Sequence, residues 1–487
     1  MGVIIDFLNT IFWSYVLVYG LLAVGIFFTI RLKFIQIRHF GEMFRVLSSG
    51  SSQEQAGITP FQALTVSLAS RVGTGNLAGV AVALYLGGPG ATFWMWMVAL
   101  VGMATAYAES SLAQLYKVRN DEGQYRGGPA FYIASGLGAP WAATLFSICL
   151  ILSFGLVFNA VQANSIAEAM HGAFDVSQLS VGIVIAILSG AVIFGGIRQI
   201  ARVAEVIVPF MAIAYLLVAI YVLIIHATAV PGVIGHIVLS AFGLQEAAGG
   251  VAGGAMAAMM NGVKRGLFSN EAGMGSAPNI AAVATPIPHH PASQGFVQAL
   301  GVFIDTILIC TATSVIILLS DTLVPGSGLT GTKLTQAAMS AHIGAAGPYF
   351  IAIAILCFAF TSIIGNYSYA ESALTYLGVA NRTGLFIMRC AVLVMVLWGA
   401  VQSTITVFNT ADASMGLMAT INLIAIVLMS GTIAKLTQDY FAQKKGGLVP
   451  EFDVSQYPEL KGKIEDDIWA SSRREGNQAM PAATTDR

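Results

Sequence analysis

The sequence predicts an all-α polytopic membrane protein with about eleven transmembrane helices. Hydrophobic residues make up 56% of its 487 residues, charged residues only 10%, and the mean hydropathy is +0.77. A soluble domain usually carries about 25% charged residues, and a transmembrane β-barrel shows short alternating segments instead of long apolar runs. The composition therefore predicts the lipid bilayer as a partner and gives no indication of nucleic-acid binding.

Apolar runs of membrane-spanning length follow one another along the chain. The first run has no basic region before it and no small-x-small cleavage site after it, so we expect a retained helix and not a signal peptide. The predicted spans lie at about 12–30, 60–85, 91–116, 141–168, 178–196, 203–226, 234–265, 295–319, 348–377, 384–403 and 410–433.

The distribution of Lys and Arg between these spans predicts the orientation. With the N-terminus outside, only Lys333 falls on the outer side, and basic residues cluster on the cytoplasmic side. The C-terminus is therefore expected in the cytoplasm. The residues assigned to the cytoplasmic side are Arg31, Lys33, Arg38, Arg45, Lys117, Arg119, Arg126, Arg198, Arg202, Lys264, Arg265, Arg382 and Arg389, followed by the basic tail from Lys435 onward.

The span count also predicts the domain organisation. One transporter-like domain covers residues 1–440, and its first span, 12–30, stands apart from the rest. The remaining ten divide into halves at 60–226 and 234–433, and five spans per half give the two halves opposite orientations, as in an inverted repeat. The charged stretch 441–487 is predicted to be a cytoplasmic tail that is partly disordered.

The second span is interrupted by polar residues and glycines. Thr74 and Asn76 lie in the middle of the apolar run, together with Gly73 and Gly75. A glycine-rich packing seam between helices is one interpretation, but it does not explain the two polar side chains. A broken helix that forms an ion and substrate site explains both features, since irregular backbone within a membrane is tolerated where it lines a cavity.

An inverted repeat predicts a second interruption at the start of the second half. The stretch 247–255 is rich in glycine and poor in bulky side chains, which makes it the candidate. We expect Gly250 and Gly254 to line the substrate pocket there and to restrict it to a molecule of about the size of alanine, with each extra methylene refused at a cost of about 1–3 kcal/mol.

An unwound helix at residues 72–76 offers two kinds of ligand. The carbonyls of Ala69 and Val72 lose their helical partners and become hard oxygen ligands for a small cation. The half-helix that begins near Gly75 presents free amides and a positive dipole end, which suit a carboxylate. Asn76 adds an amide oxygen. A sodium ion beside a zwitterionic amino acid fits this combination.

Further polar residues in other spans are candidates to complete the site. In the ninth span, Thr361 and Ser362 would add hydroxyl ligands for sodium and Asn366 would face the substrate, although hydroxyls in a helix also bond to their own backbone. In the fourth span, Gln162 is predicted to contact the substrate. It shares a helix face with Asn159, so interhelical hydrogen bonding is an equal alternative.

Charged residues within the spans are predicted to form a gate. Intramembrane carboxylates are costly and mark functional positions, and Glu109, Asp305 and Glu371 lie near the predicted cytoplasmic ends of their spans. Arg71 would repel a neighbouring sodium ion, so we expect it to turn away and to pair with one of these carboxylates.

Other functional classes find less support. Cys149, Cys310, Cys357 and Cys390 lie in apolar runs and are predicted to be core residues. The adjacent residues His289 and His290 could form a metal pair, but no third ligand lies at suitable spacing. The sequence also shows no nucleophile paired with a base, as an enzyme would need. Proton coupling through Asp305 and a channel remain alternatives to sodium symport, and the oligomeric state stays open, a monomer included.

Four motifs, in order along the chain, resemble signatures of the alanine or glycine:cation symporter family. They are Ser70-Arg-Val-Gly-Thr-Gly-Asn-Leu-Ala-Gly79, Gly127-Gly-Pro-Ala-Phe-Tyr132, Arg265-Gly-Leu-Phe-Ser-Asn-Glu-Ala-Gly-Met-Gly-Ser276 and His290-Pro-Ala-Ser-Gln-Gly295. The resemblance covers nearly the whole chain, from the first span through the eleventh. It implies the LeuT-type inverted-repeat fold with an extra N-terminal helix.

The same resemblance implies a function and roles for particular residues. It implies sodium-coupled uptake of alanine and glycine across the inner membrane of a bacterium or archaeon, with sodium as the co-transported ion. The stretch 72–76 is also similar to the unwound first core helix of the neurotransmitter:sodium symporters. By that analogy, the carbonyls of Ala69 and Val72 and the hydroxyls of Thr361 and Ser362 hold sodium.

Overall fold

The structure is a computed structural model and describes residue 7 and residues 9–48, 56–244, 251–324 and 326–469. Most of these residues are helical. The principal helices are α1 (Thr10–Arg31), α2 (Ile35–Arg38), α3 (Phe40–Ser48), α4 (Pro60–Arg71), α5 (Gly75–Gly87), α6 (Gly90–Leu115), α7 (Pro129–Phe131), α8 (Pro140–Phe174), α9 (Gln178–Ile193), α10 (Gly196–Ile225), α11 (Val230–Ala241), α12 (Val251–Asn270), α13 (Pro278–Val283), α14 (Pro291–Leu318), α15 (Gly331–Ile343), α16 (Ala346–Tyr376), α17 (Arg382–Val401), α18 (Thr404–Leu428), α19 (Ser430–Lys445) and α20 (Asp466–Trp469).

Eight of the described helices are long and apolar enough to cross a membrane: α1, α6, α8, α10, α14, α16, α17 and α18. The other three predicted spans take a different form. The run at 60–85 is divided between α4 and α5, the run at 178–196 is the shorter helix α9, and the region 234–265 includes most of α11 and most of α12. The chain is thus a mostly helical, polytopic membrane protein, while the count of eleven and the inverted repeat stay predictions.

The outer surface of the helices is apolar. On α10, Val206 and Phe210 are 68% and 75% exposed, while Met211 and Tyr215 on the opposite face are buried. Large apolar side chains exposed in this way are unusual on soluble proteins. They form a surface suited to contact with lipid chains.

Helix α6 lies at the centre of the described fold. It packs against α14, α12 and α1, and from Gly102 to its last residue every side chain is buried. Most of that half consists of alanine, serine and other small residues, which allow helices to approach closely within a membrane. This close packing brings buried polar residues from several helices together.

The chain beyond α19 folds back onto the rest of the protein. A short antiparallel hairpin, β1 (Val118–Arg119) with β2 (Tyr125–Arg126), follows α6. Trp469 is fully buried beside it, and its indole Nε1 donates to the carbonyl of Leu115 at 3.1 Å. Residues 470–487 lie outside the described residues, so the predicted disorder of the tail stays a prediction.

Candidate functional site

Helix α4 begins with strong local signals and ends at the polar stretch. Thr59 caps it and forms a capping box with Gln62, and Pro60 occupies the first helical position. The helix ends at Arg71. Val72 then adopts φ −79° and ψ 89°, which is not helical. Helical backbone resumes before Gly75, so the chain is interrupted within the stretch where the sequence predicts a break.

Gly73 lies at the point where three structural elements meet. A Cβ atom at this position would lie 2.4 Å from the Ser362 hydroxyl oxygen of α16 and 2.8 Å from the Gln162 side-chain oxygen of α8. Such separations exclude any side chain without rearrangement. The residue is therefore a glycine because the backbone of the break touches α8 and α16 directly.

Gln162 binds the break itself. Its Oε1 atom accepts hydrogen bonds from the Thr74 backbone N–H at 3.0 Å and from the Thr74 hydroxyl at 2.8 Å. Asn159, one turn earlier on α8, instead donates to the Gly155 carbonyl and accepts from Asn366. Of these two buried amides, Gln162 is the one that contacts the break.

Asn76 joins the break to α14. Its Oδ1 atom accepts from the Gly73 N–H at 2.9 Å, and its Nδ2 atom donates to Asp305 Oδ1 at 2.7 Å. The other carboxylate oxygen of Asp305 accepts from the hydroxyls of Ser269 and Thr306, at 2.8 and 2.7 Å. Asp305 is fully buried. Asp305 of α14 thus bonds to the first break through Asn76 and to α12 through Ser269.

The structure brings together two of the four predicted sodium ligands. The Ser362 hydroxyl donates to the Ala69 carbonyl at 2.8 Å, across the contact between α16 and α4. The Thr361 hydroxyl donates to the Phe358 carbonyl of its own helix at 2.9 Å, which is the local alternative. Val72 is the non-helical residue at the break. Carbonyl and hydroxyl oxygens are the ligands that hard cations prefer, so this donor set fits sodium as a transported ion.

A second interruption lies in the second half of the chain after Asn270, beyond the stretch 247–255 that the sequence predicts, of which residues 247–250 lie outside the described residues. Residues 251–255 are the first residues of α12, so Gly254 lies within a helix. Gly250 lies outside the described residues. The chain leaves the helical path after Asn270, where Glu271, Gly273 and Gly275 all have positive φ angles, and α13 begins at Pro278.

This second break contacts the first one. The Ser70 hydroxyl of α4 lies 2.9 Å from Glu271 Oε1 and 2.5 Å from Asn366 Oδ1 of α16. The hydroxyls of Ser276 and Tyr369 donate to Glu271 Oε2 at 2.5 and 3.1 Å. Asn366 therefore lies among groups of both breaks, and Glu271 joins the two interrupted helices.

The prediction that Arg71 pairs with a carboxylate is wrong. Its Nη1 atom donates to the Gln298 carbonyl at 3.1 Å, and Nε and Nη2 have no hydrogen-bond partner among the described residues. The three proposed partners are occupied elsewhere. Asp305 binds Asn76, the Glu109 carboxylate accepts from the Gly273 N–H, and Glu371 forms an ion pair with an arginine of β2 at 2.6 Å.

Several charged residues, or their partners, were missed by sequence reasoning. Glu271 lies beyond the predicted span 234–265 and is not among the predicted site residues. Lys264 and Arg265 were assigned to the cytoplasmic side without a partner; both lie within α12 and pair with Asp412 of α18, at 2.6 and 3.0 Å. The signal available for Asp412 is a lone carboxylate inside an apolar run. In the part of the chain that is described, no group of three His, Cys, Asp or Glu side chains could hold a metal ion.

Comparisons with known proteins identify the family. The family model described as "Sodium:alanine symporter family" matches residues 1–454. The chain belongs to the sodium:alanine symporter family. It is therefore a transporter and not an enzyme, and its site is one for binding and release.

Curated relatives resemble the chain over nearly their full length. The amino-acid carrier protein AlsT of Bacillus subtilis (strain 168) is 49% identical over 463 residues, which cover 95% of this chain and 96% of AlsT. The probable sodium/glutamine symporter GlnT of the same organism is 47% identical over 450 residues, 92% of each chain. The sodium/alanine symporter AgcS of Methanococcus maripaludis is 38% identical over 446 residues, 90% of this chain and 96% of AgcS.

Proposed function

We propose that the chain is a sodium-coupled symporter that imports small neutral amino acids, alanine and glycine, by alternating access. The observation that supports this most directly is the interrupted helix α4–α5. On one side of Gly73, the Ala69 carbonyl meets the Ser362 hydroxyl, and on the other side Thr74 meets Gln162. Ligand groups for a cation and for an amino acid thus lie a few residues apart on one segment.

The break would divide its backbone groups between the two ligands. Carbonyls at its α4 end face the ion, while amides at the start of α5 form the positive end of a helix and face the substrate carboxylate. The proposed sodium ligands are Ala69, Val72, Thr361 and Ser362. The proposed substrate-binding residues are Gly73, Thr74, Gly75, Asn76, Gln162, Gly250, Gly254 and Asn366.

Sodium would couple to transport by joining α4 to α16. Sodium binding at the Ala69–Ser362 contact would hold these helices together and complete the substrate site, and release would follow when the helices separate toward the cytoplasm. Arg71, Glu109, Asp305 and Glu371 would form the gate and charge network around this movement. The proposed location is the inner membrane, with the N-terminus outside and the C-terminus in the cytoplasm.

The decisive experiment is uptake of radiolabelled alanine and glycine by the purified protein in proteoliposomes, at fixed pH, with and without a sodium gradient. We expect saturable, sodium-dependent uptake of both, with D-alanine, serine and glutamine as competitors to define the substrate range. Uptake that ignores sodium and follows a proton gradient would instead support proton coupling through Asp305. Linear uptake without counterflow would support a channel.

Gln162→Ala tests the substrate site. The variant should raise the alanine concentration for half-maximal uptake about tenfold, which corresponds to loss of about one buried hydrogen bond, and should affect the sodium requirement less. Gln199→Ala is the matched control because Gln199 is an exposed glutamine on α10. An unchanged alanine requirement in Gln162→Ala would remove this residue from the substrate site.

A further inference from the structure

Glu271 is a buried carboxyl group for which the transport mechanism described above has no use. It is fully buried at the second helix break, and the side chains that form hydrogen bonds with it among the described residues are the neutral Ser70, Ser276 and Tyr369. A buried carboxylate is stable only with charged or hydrogen-bond-donating partners. Whether Glu271 is charged can therefore be inferred by counting the hydrogen-bond protons that its neighbours can donate.

A chain of amides fixes the direction of the hydrogen bonds. Asn159 Nδ2 donates to the backbone carbonyl of Gly155 at 2.8 Å, and a carbonyl can only accept. Asn159 Oδ1 must then accept from Asn366 Nδ2, at 3.1 Å, which turns Asn366 Oδ1 toward Ser70. Reversing either amide would place two acceptors against each other.

Ser70 has one proton for two acceptors. Its Oγ lies 2.5 Å from Asn366 Oδ1 and 2.9 Å from Glu271 Oε1. Because Asn366 Oδ1 has no proton to give, the Ser70 hydroxyl donates to it. A proton on Glu271 Oε1 that donates to Ser70 gives this contact a hydrogen of its own, whereas an ionised Glu271 would have to share the single Ser70 proton with Asn366. Glu271 Oε2 remains an acceptor, as its contacts with Ser276 and Tyr369 require.

The hydrogen bonds of the other two buried acids, Asp305 and Glu109, need no added proton. Asp305 accepts from Asn76, Ser269 and Thr306, and all three groups are donors. Glu109 accepts from the Gly273 N–H and from the side-chain amide of Asn422. Among these three buried acids, only Glu271 has a contact to which an added proton would supply a hydrogen of its own.

We propose that Glu271 is a proton-binding site that connects the two interrupted helices and that the described conformation holds its proton. The ionisable groups near Glu271 are Arg71 of α4, which interacts with it electrostatically, and Tyr369 of α16, which donates a hydrogen bond to it. Glu109 of α6 accepts from the N–H of Gly273, two residues after Glu271. The proton would enter from water and return to water when a gate opens.

Loss of the proton would weaken the contact between α4 and α16. When the O–H bond of the acid breaks and the proton leaves to water, Ser70 turns its single proton toward the carboxylate. Asn366 Oδ1 then loses its donor. Ser70 adjoins Ala69, whose carbonyl is a proposed sodium ligand, so the proton on Glu271 and the sodium ion would favour the same conformation. This consequence rests on the proposed function, whereas the protonation itself does not.

Glu271→Gln tests the coupling, because a glutamine amide can donate to Ser70 and accept from Tyr369 as the protonated acid does. In the wild type, the sodium concentration for half-maximal alanine uptake should rise on the order of tenfold between acidic and alkaline pH. In Glu271→Gln, the sodium concentration for half-maximal uptake should remain at all pH values what it is in the wild type at acidic pH. Glu205→Gln, on the partly exposed start of α10, should follow the wild type. A Glu271→Gln variant that keeps the wild-type pH dependence would overturn the proposal.

Infrared spectroscopy tests the proton without any transport. The C=O stretching band of a protonated carboxyl group should be present in the wild type and in Glu205→Gln, and part of it should be lost in Glu271→Gln. If Glu271→Gln does not fold, Ser70→Ala removes the acceptor and should shift that band to higher frequency. A band that neither changes nor shifts would show that Glu271 is ionised. Wild-type protein that has the band but no sodium-dependent uptake would instead contradict the proposed function.

Discussion

Replacing Gly73 by alanine is the sharpest test of the interrupted helix, because the residue touches both proposed ligand sites. The added Cβ would lie 2.4 Å from the Ser362 hydroxyl oxygen and 2.8 Å from Gln162 Oε1. Both atoms must move. Ser362 Oγ now donates to the carbonyls of Ala69 and Phe358, at 2.8 and 3.1 Å.

The size of the effect follows from the hydrogen bonds at risk. Loss of two bonds, at about 0.5–1.5 kcal/mol each, destabilises the binding conformation by about 1–3 kcal/mol. A factor of ten corresponds to about 1.4 kcal/mol. Gly73→Ala should therefore raise the alanine and sodium concentrations for half-maximal uptake by about 5- to 150-fold.

The assay is sodium-dependent alanine uptake in proteoliposomes, with the alanine and sodium concentrations varied separately. Gly79→Ala is the matched control in the same segment, since its Cβ would meet only the Thr74 carbonyl oxygen at 3.8 Å, an ordinary contact. The control should behave as the wild type. If the two variants show the same alanine and sodium requirements, the break does not approach α8 and α16 as closely as described, and the reasoning fails.

Three further outcomes are expected. Ser362→Ala should raise the sodium requirement more than Thr361→Val, since only the first hydroxyl reaches α4; equal shifts in uptake titrations would contradict this. Trp469→Ala removes a fully buried indole, a change that costs about 3–5 kcal/mol in protein cores, so limited proteolysis should cut the tail faster, and an unchanged rate would refute its docking. The pKa of His290 is lowered because burial disfavours the charged ring, and the pKa of Asp439 is lowered because hydrogen bonds, including one with His290, outweigh its burial. Both shifts mean that unfolding takes up protons, so thermal stability should fall as the pH drops below about 6.5 and this slope should be smaller in His290→Asn.

The first helix break could be predicted because its signal is local. Gly73, Thr74 and Asn76 interrupt an apolar run, and polar residues in such runs are rare enough to mark a site. The same reasoning selected Gln162 and Ser362 from distant parts of the sequence. The structure places both in contact with the break. Their roles in binding stay predictions until the uptake of variants is measured.

The second break could not be located from composition. At this break Glu271 has a positive φ of 58°, in the left-handed region, which costs about 1–2 kcal/mol for a residue with a side chain. Contacts with Ser70, Ser276 and Tyr369 hold Glu271 there, and these come from the same turn and from two other helices. Of the predicted stretch 247–255, residues 251–255 form regular helix and residues 247–250 lie outside the described residues. Glycine content alone therefore does not predict the break after Asn270, where contacts with other helices hold the backbone of Glu271.

The charges could be found in the sequence, but not their partners. Opposite charge alone predicts that Arg71 pairs with a carboxylate. In the structure, Glu109 and Asp305 instead accept hydrogen bonds from neutral donors, and Arg71 interacts with both only electrostatically. With Glu109 and Asp305 both ionised, the cluster would carry two negative charges against the one positive charge of Arg71. If Glu271 holds a proton, one sodium ion at the Ala69 carbonyl makes this buried cluster neutral, since a zwitterionic substrate adds no net charge. If the proposed sodium symport holds, this charge balance predicts one sodium ion with each amino acid, because burying a further cation would leave an unbalanced charge within the membrane.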